Sequence, residues 1–415
     1  MDSILIIGSA GSVAHDMMYL IAAMGRPIKV VGTDVDEKRG RFEIEESLQI
    51  AHYLGYYPDL SFTSMDLFKI EETAETLRKI NPKVICNLAS LGSWWVTRLL
   101  PDEEYKKIGP VGPWLPNHLT LAYKLMRAVQ ISGIDAKVVN GAFPDATNVV
   151  LGKVGLAPTC GGGNMDIAIH RLKRLVARDL GVPFQSVTIY AVGHHGTHYT
   201  KKMDGPFWVR IIVDGEDTTN KYPNQKLTEM YHREGYAASI QLRSALVDQM
   251  RTAGSFLSNV LSLYYDTQRT HVCVPGPNGL PGGYPTRLSA KGAEVVLPGI
   301  TLEEAIRINE EGAKIDGIEK IKEDGTVVFL DRNVEYMREV VGYHCKELRL
   351  EETEERAKEL NRGLKKLYEK YRVVIDGVQR PVGRSFNPRL RRPYKCKGPF
   401  HVSLNMDRRQ DNGKP

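Results

Sequence analysis

The chain has 415 residues, 42% hydrophobic and 26% charged, which fits a globular protein of two or three units and excludes wholesale disorder. Nothing in it resembles an 18-residue apolar span, and the start lacks the basic region and cleavage site of a signal peptide. The five cysteines (Cys86, Cys160, Cys273, Cys345, Cys396) show no CxxC spacing, so neither a disulfide framework nor a structural zinc site is expected, and the expected location is cytoplasmic. The net charge of +6 is concentrated at one end, because residues 376–415 hold ten Lys or Arg against three Asp. Such an arm suits packing, assembly or a loose tail; without repeated aromatic platforms, nucleic acid is not its expected partner.

The first strand is predicted over Ser3 to Ile7 and a helix over about Val13 to Met24, where Met17, Met18, Leu20, Ile21 and Met24 make a broad apolar face. A strand over Ile28 to Gly32, a polar helix over Glu37 to Tyr53, a helix over Ile70 to Lys79 and a strand over Lys83 to Leu88 follow. Short apolar strands alternating with helices are the pattern of a doubly wound parallel sheet. Residues 92–116, with Trp94, Trp95 and Trp114, show no period and read as a long loop, either core filler or an aromatic lid. Helices are expected from Asn117 to Gln130, Met165 to Leu180, about Tyr236 to Tyr265 and Glu351 to Tyr371. The remaining expected strands are Ala136 to Asn140, Ser186 to Val192, Phe207 to Val213 and Thr270 to Val274.

Between the first strand and helix lie Gly8, Ser9, Ala10, Gly11, Ser12, Val13 and Ala14. Gly8 permits the tight turn, Gly11 lets the backbone approach a pyrophosphate, and Ala14 allows close helix–sheet packing. The helix start offers free N–H groups to phosphates. Asp34, twenty residues after Ala14, can accept hydrogen bonds from a ribose. The combination points to a dinucleotide. NAD is expected rather than NADP because Asp34 would repel a 2′-phosphate, although Lys38, Arg39 and Arg41 lie just beyond it.

The stretch Gly163-Asn164-Met165-Asp166-Ile167, a helix to Leu180-Gly181-Val182, a strand and then Gly193-His194-His195-Gly196 resembles the lactate/malate dehydrogenase superfamily over roughly residues 3 to 330. The resemblance implies an α/β protein. A doubly wound parallel Rossmann sheet over residues 1–150 would precede an α+β catalytic domain over residues 151–375, with a basic arm from 376 to 415. It implies an NAD-dependent oxidoreductase that interconverts a secondary alcohol and a ketone. His195 would be the general acid/base and Asp166 the carboxylate that orients it. Its implied substrate contacts are Asn117, Asn140 and Thr252. The anion-binding Arg expected three residues after Asp166 is replaced by Ile169, which leaves Arg98 and, out of phase on the same helix, Arg171 as candidates. A small-molecule substrate and a homo-oligomer, dimer or tetramer, are likewise implied.

Two alternatives stay open at this point. His194, His195, His198 and Cys160 hint at the NAD- and manganese-dependent glycosidases, although the register on Leu180-Gly181-Val182 favours the dehydrogenases and no metal ligand is assigned. A dinucleotide-sensing protein that keeps the fold without catalysis is the other.

Overall fold

The computed structural model describes residues 2–92, 97, 100–199, 203–234 and 246–371. The first unit runs β1 (Ser3–Ile7), α1 (Ser12–Ala23), β2 (Lys29–Asp34), α2 (Glu37–Tyr53), β3 (Asp59–Ser64), α3 (Ile70–Ile80) and β4 (Val84–Asn87). It continues with α4 (Asp102–Ile108), α5 (Leu115–Ser132), β5 (Lys137–Asn140), α6 (Pro144–Lys153) and β6 (Cys160–Gly161). The six strands form one parallel sheet in the order β3-β2-β1-β4-β5-β6. β1 is buried at every position, as a central parallel strand covered on both faces must be. β3, absent from the sequence reading, is an edge strand with Leu60 as its only buried residue, so it carries almost no apolar signal.

The second unit comprises α7 (Met165–Leu180), β7 (Val187–Gly193), α8 (His195–Tyr199), β8 (Phe207–Val213), β9 (Glu216–Asp217) and α9 (Asn224–Glu234). It is completed by α10 (Leu246–Tyr264), β10 (Arg269–Pro275), β11 (Gly283–Ser289), β12 (Gly292–Val295) and α11 (Leu302–Ile315). Its sheet is antiparallel in the order β10-β11-β7-β8-β9, with β12 beside β11. The α/β followed by α+β architecture expected from the sequence is therefore present.

The remaining residues form β13 (Ile318–Ile321), β14 (Val327–Phe329), α12 (Asp331–Val341), β15 (Glu347–Leu348) and α13 (Thr353–Lys370). The three strands make a small antiparallel sheet. This segment does not extend the second unit, where the sequence reading put it. α12 packs on α4 and α13 on α5, so Phe329, Met337, Leu360 and Leu364 share one core with Leu77, Ile85, Trp114 and Leu125 of the first unit.

Residues 92–116 change character accordingly. Instead of one long loop, the described part folds into α4 and a 3-10 turn at Gly112–Trp114. Trp114 is 3% exposed, its Nε1–H donates to the Ile108 carbonyl at 2.8 Å, and it belongs to the shared core rather than to a lid. Trp94, Trp95 and Arg98 lie outside the described residues.

Candidate active site

The carboxyl ends of β1, β4 and β5 converge on one edge of the parallel sheet. At the end of β1, Gly8 has φ +80°, and a Cβ there would lie 2.7 Å from the Ala89 backbone nitrogen, so only glycine fits. Gly11 precedes α1 with extended backbone and brings no side chain to cap it, which leaves the first-turn N–H groups open to an anion. Ser9 is buried and its Oγ has no hydrogen-bond partner. At the end of β2, Asp34 accepts the Ala10 N–H at 3.1 Å and the Asp36 N–H at 3.0 Å, which aims its carboxylate along the loop. An extended loop, an uncapped helix start and an adjoining carboxylate fit a dinucleotide's pyrophosphate and ribose.

On the same edge, β5 leads through Gly141 and Ala142 to Phe143, whose φ of +49° is left-handed and costly for a residue with a Cβ. Its ring meets His195 edge-on at 5.5 Å and both His194 and His118 at 6.2 Å. Next in the chain but one, Asp145 is buried. It accepts the His195 backbone N–H at 2.7 Å and the Asn164 side-chain amide, and so ties the starts of α7 and α8 to α6.

The His195 side chain is 12% exposed, and its Nδ1 lies 2.9 Å and 3.1 Å from the two oxygens of Asp316. Asp316 follows α11 and is fully buried. Burial alone would push its carboxyl up. The opposing charge of His195 and hydrogen bonds from the two imidazoles hold it below the usual carboxylate range. An ionised carboxylate only accepts, so Nδ1 carries the proton and donates it to Asp316. His194 Nδ1 also lies 3.2 Å from Asp316 and 3.1 Å from the Gly196 N–H; it can donate to the first or accept from the second. The bond to the carboxylate is charge-assisted and therefore the stronger.

This corrects the expected pairing. Asp166 was expected to orient His195; instead its Oδ2 accepts the Ser255 hydroxyl at 2.6 Å and its Oδ1 faces His170 Nε2 at 3.5 Å. Ser255 in turn accepts the Gly163 N–H at 2.8 Å, which anchors α7 to α10. Burial raises the Asp166 carboxyl, against the charge of His170 and the Ser255 bond.

The other expected substrate contacts divide as follows. Asn140 is bound to Asn87, Thr147, Asn148 and the Ala142 N–H, and so holds the turn after β5. Asn117 forms a reciprocal amide pair with Asn361 of α13, at 3.1 and 2.8 Å. Ile169 is a core residue, and Arg171 is buried with its guanidinium 5.4 Å over the Tyr231 ring. Thr252 faces Gly163 through its methyl group. Cys160 sits in β6 inside the core, where burial pushes its thiol up to about 12. Among the described residues no cluster of three or more His, Cys, Asp or Glu could hold a metal, and no helix is long and apolar enough to cross a membrane.

Asp316, Asp145, Phe143 and His118 were not singled out from the sequence. Asp316 stands in Ile315-Asp316-Gly317, which reads as an ordinary helix end, and nothing local links it to a histidine 121 residues earlier. Only the Pro144-Asp145 start of α6 carried a signal, as a helix opening with Pro and an acid.

Solved lactate and malate dehydrogenases superpose on this arrangement of sheets. The chain has the lactate/malate dehydrogenase fold. The lactate dehydrogenase of Eimeria maxima, solved with NADH and oxamate, superposes with a TM-score of 0.55 at 16% identity, covering 76% of this chain and 92% of its own. The malate dehydrogenase of Plasmodium falciparum in complex with NADH gives 0.53 at 16% identity over 75% and 96%. That of Aeropyrum pernix gives 0.53 at 18% identity over 75% and 95%. No family model and no curated protein matches the chain.

Proposed function

We propose that this chain is an NAD-dependent oxidoreductase that interconverts a secondary alcohol and a ketone, with His195 as general acid/base and Asp316 as its orienting partner. The observation that carries this reading is the His195–Asp316 bond, placed beside the edge of the sheet where the Gly8 loop opens. Two solved proteins of this fold are described with NADH, and the loop here has the features such a ligand needs. Arg41 is bound to Glu37 at 2.8 Å and Arg39 faces Glu43 at 3.7 Å, an arrangement that favours NAD over NADP.

In this reading the backbone of Gly8 to Val13 holds the pyrophosphate and Asp34 the ribose. When bound, the cofactor supplies the hydride acceptor. Asp316 keeps the His195 proton on Nδ1, so Nε2 receives the hydroxyl proton as the alcohol is oxidised and returns it when the ketone is reduced. The imidazolium formed on the way is stabilised by the anion behind it, while the bond from the His195 N–H to Asp145 fixes the backbone that carries the ring.

Calorimetric titration with NADH tests the cofactor half. Asp34→Ala should weaken binding tenfold or more, in line with a charged hydrogen-bond partner worth about 1.5–3 kcal/mol. Asp316→Asn should lower turnover by two orders of magnitude or more at unchanged NADH affinity, because the amide holds the wrong tautomer. If Asp316→Asn turns over normally while Asp166→Asn does not, the assignment of roles here is reversed.

A further inference from the structure

His118 stands at the start of α5, one residue after the Asn117 that fastens α13. It is 6% exposed, and neither of its ring nitrogens has a hydrogen-bond partner. Orphaned buried polar atoms are costly, and a fold seldom keeps two on one ring without a use for them. Its surroundings are those of the reacting centre. The Phe143 ring lies 6.2 Å from its ring and 5.5 Å from that of His195. The Leu91 N–H bonds the Asn117 carbonyl at 2.9 Å, which brings the start of α5 to the end of β4, beside Ala89 that Gly8 touches. His118 therefore belongs to the carboxyl edge of the sheet.

Among the described residues, the charged side chains bonded to His195 are carboxylates. Asp316 and Asp145 are both buried against His195, one on its ring and one on its backbone. The position expected to bear an anion-binding arginine is Ile169, and Arg171 lies against Tyr231. A neutral imidazole offers one donor and one acceptor, which is what a hydroxyl group offers in return. A carboxylate offers acceptors only, so it could pair with just the protonated nitrogen of His118 and never with the other. Burial, with the nearby charge of His195 adding to it, keeps His118 uncharged by pushing it down to about 4.

We infer that the substrate is an uncharged, polyhydroxylated compound, and that His118 binds a second hydroxyl of it next to the carbon oxidised at His195. This rests on the reading of the site as a dehydrogenase. Uptake of that hydroxyl would give one of the two empty nitrogens its partner, so His118 acts in recognition and not in proton transfer.

The full-length chain can be assayed with NAD against two sets of alcohols, lactate and malate on one side and myo-inositol and sorbitol on the other. Wild type, His118→Leu and His118→Gln are compared, each with its Tm and its NADH affinity. Turnover should be confined to the polyol set. His118→Leu should raise KM for the polyol at least tenfold with kcat changed less than threefold, and His118→Gln, which keeps a donor and an acceptor, should recover most of it. NADH affinity should stay within twofold throughout. Turnover of lactate or malate in preference to both polyols overturns the inference, as does an unchanged KM in His118→Leu or NADH binding without turnover of either polyol. A wild-type chain that fails to bind NADH at all removes the dehydrogenase reading itself, and is told apart by that titration.

Discussion

A histidine buried without partners makes stability depend on pH. His118 titrates at about 4 in the fold against 6.5 for an ordinary histidine, and His271, held 2.8 Å from Ser262, behaves alike. Between those values the unfolded chain binds a proton that the folded chain refuses, so stability falls as pH drops from 6.5 toward 4. Each ring contributes about 3 kcal/mol to that loss, at 1.36 kcal/mol per pK unit. Urea unfolding of wild type and His118→Gln at pH 7 and pH 5 measures it; the variant should lose less stability across the interval. The Asp316 carboxyl has the opposite setting, since its folded value lies below its unfolded one. Its contribution is present above the usual carboxylate range and disappears only in stronger acid, so the two histidines govern the first part of any acid transition.

At the scale of elements, legibility followed local periodicity. The helices Glu37–Tyr53 and Met165–Leu180 and the strand Phe207–Val213 lie where the sequence predicts them, because each carries its own amphipathic or alternating pattern. β3 and β13 to β15 were not legible, being short strands that owe their existence to neighbours. The loop glycines stood out as turn residues between a strand and a helix, and His195 through the resemblance of its turn to the lactate/malate dehydrogenases. The Asp316 partnership is tertiary and left no trace in spacing. Trp114 shows how a residue type misleads: in an aperiodic stretch it suggests a lid, yet it fills the core between α4, α5 and the C-terminal segment. Trp114→Ala should cost about 3–5 kcal/mol of unfolding free energy, the range for a large buried aromatic. Chemical denaturation decides it, and a loss under 1 kcal/mol would return this tryptophan to the surface. Asn361→Ala should cost about 1–3 kcal/mol by leaving the Asn117 amide buried and unpaired.

Across the whole molecule, the C-terminal segment is joined to both other units. It shares the apolar core of the first, and the Asp316 carbonyl at its root accepts the Gly112 N–H at 2.8 Å while its carboxylate holds His195 of the second. Ending the chain at residue 317 would keep Asp316 but strip Phe329, Met337, Leu360 and Leu364 from the face of α5 they cover. Such a truncated chain should unfold without a cooperative transition by calorimetry; a sharp transition near that of wild type would show that the first two units stand alone.

The reach from His195 to Asp316 also sets a clock on biosynthesis. A ribosome adding about 5–20 residues per second needs roughly 6–24 s to cover the 121 residues between them. During that interval the nascent chain already carries the nucleotide loop and the histidine turn, but the ring has no anion behind it. The His195–Asp316 pair is thus completed only late in translation, and a chain terminated before residue 316 lacks both that carboxylate and the segment that covers α5.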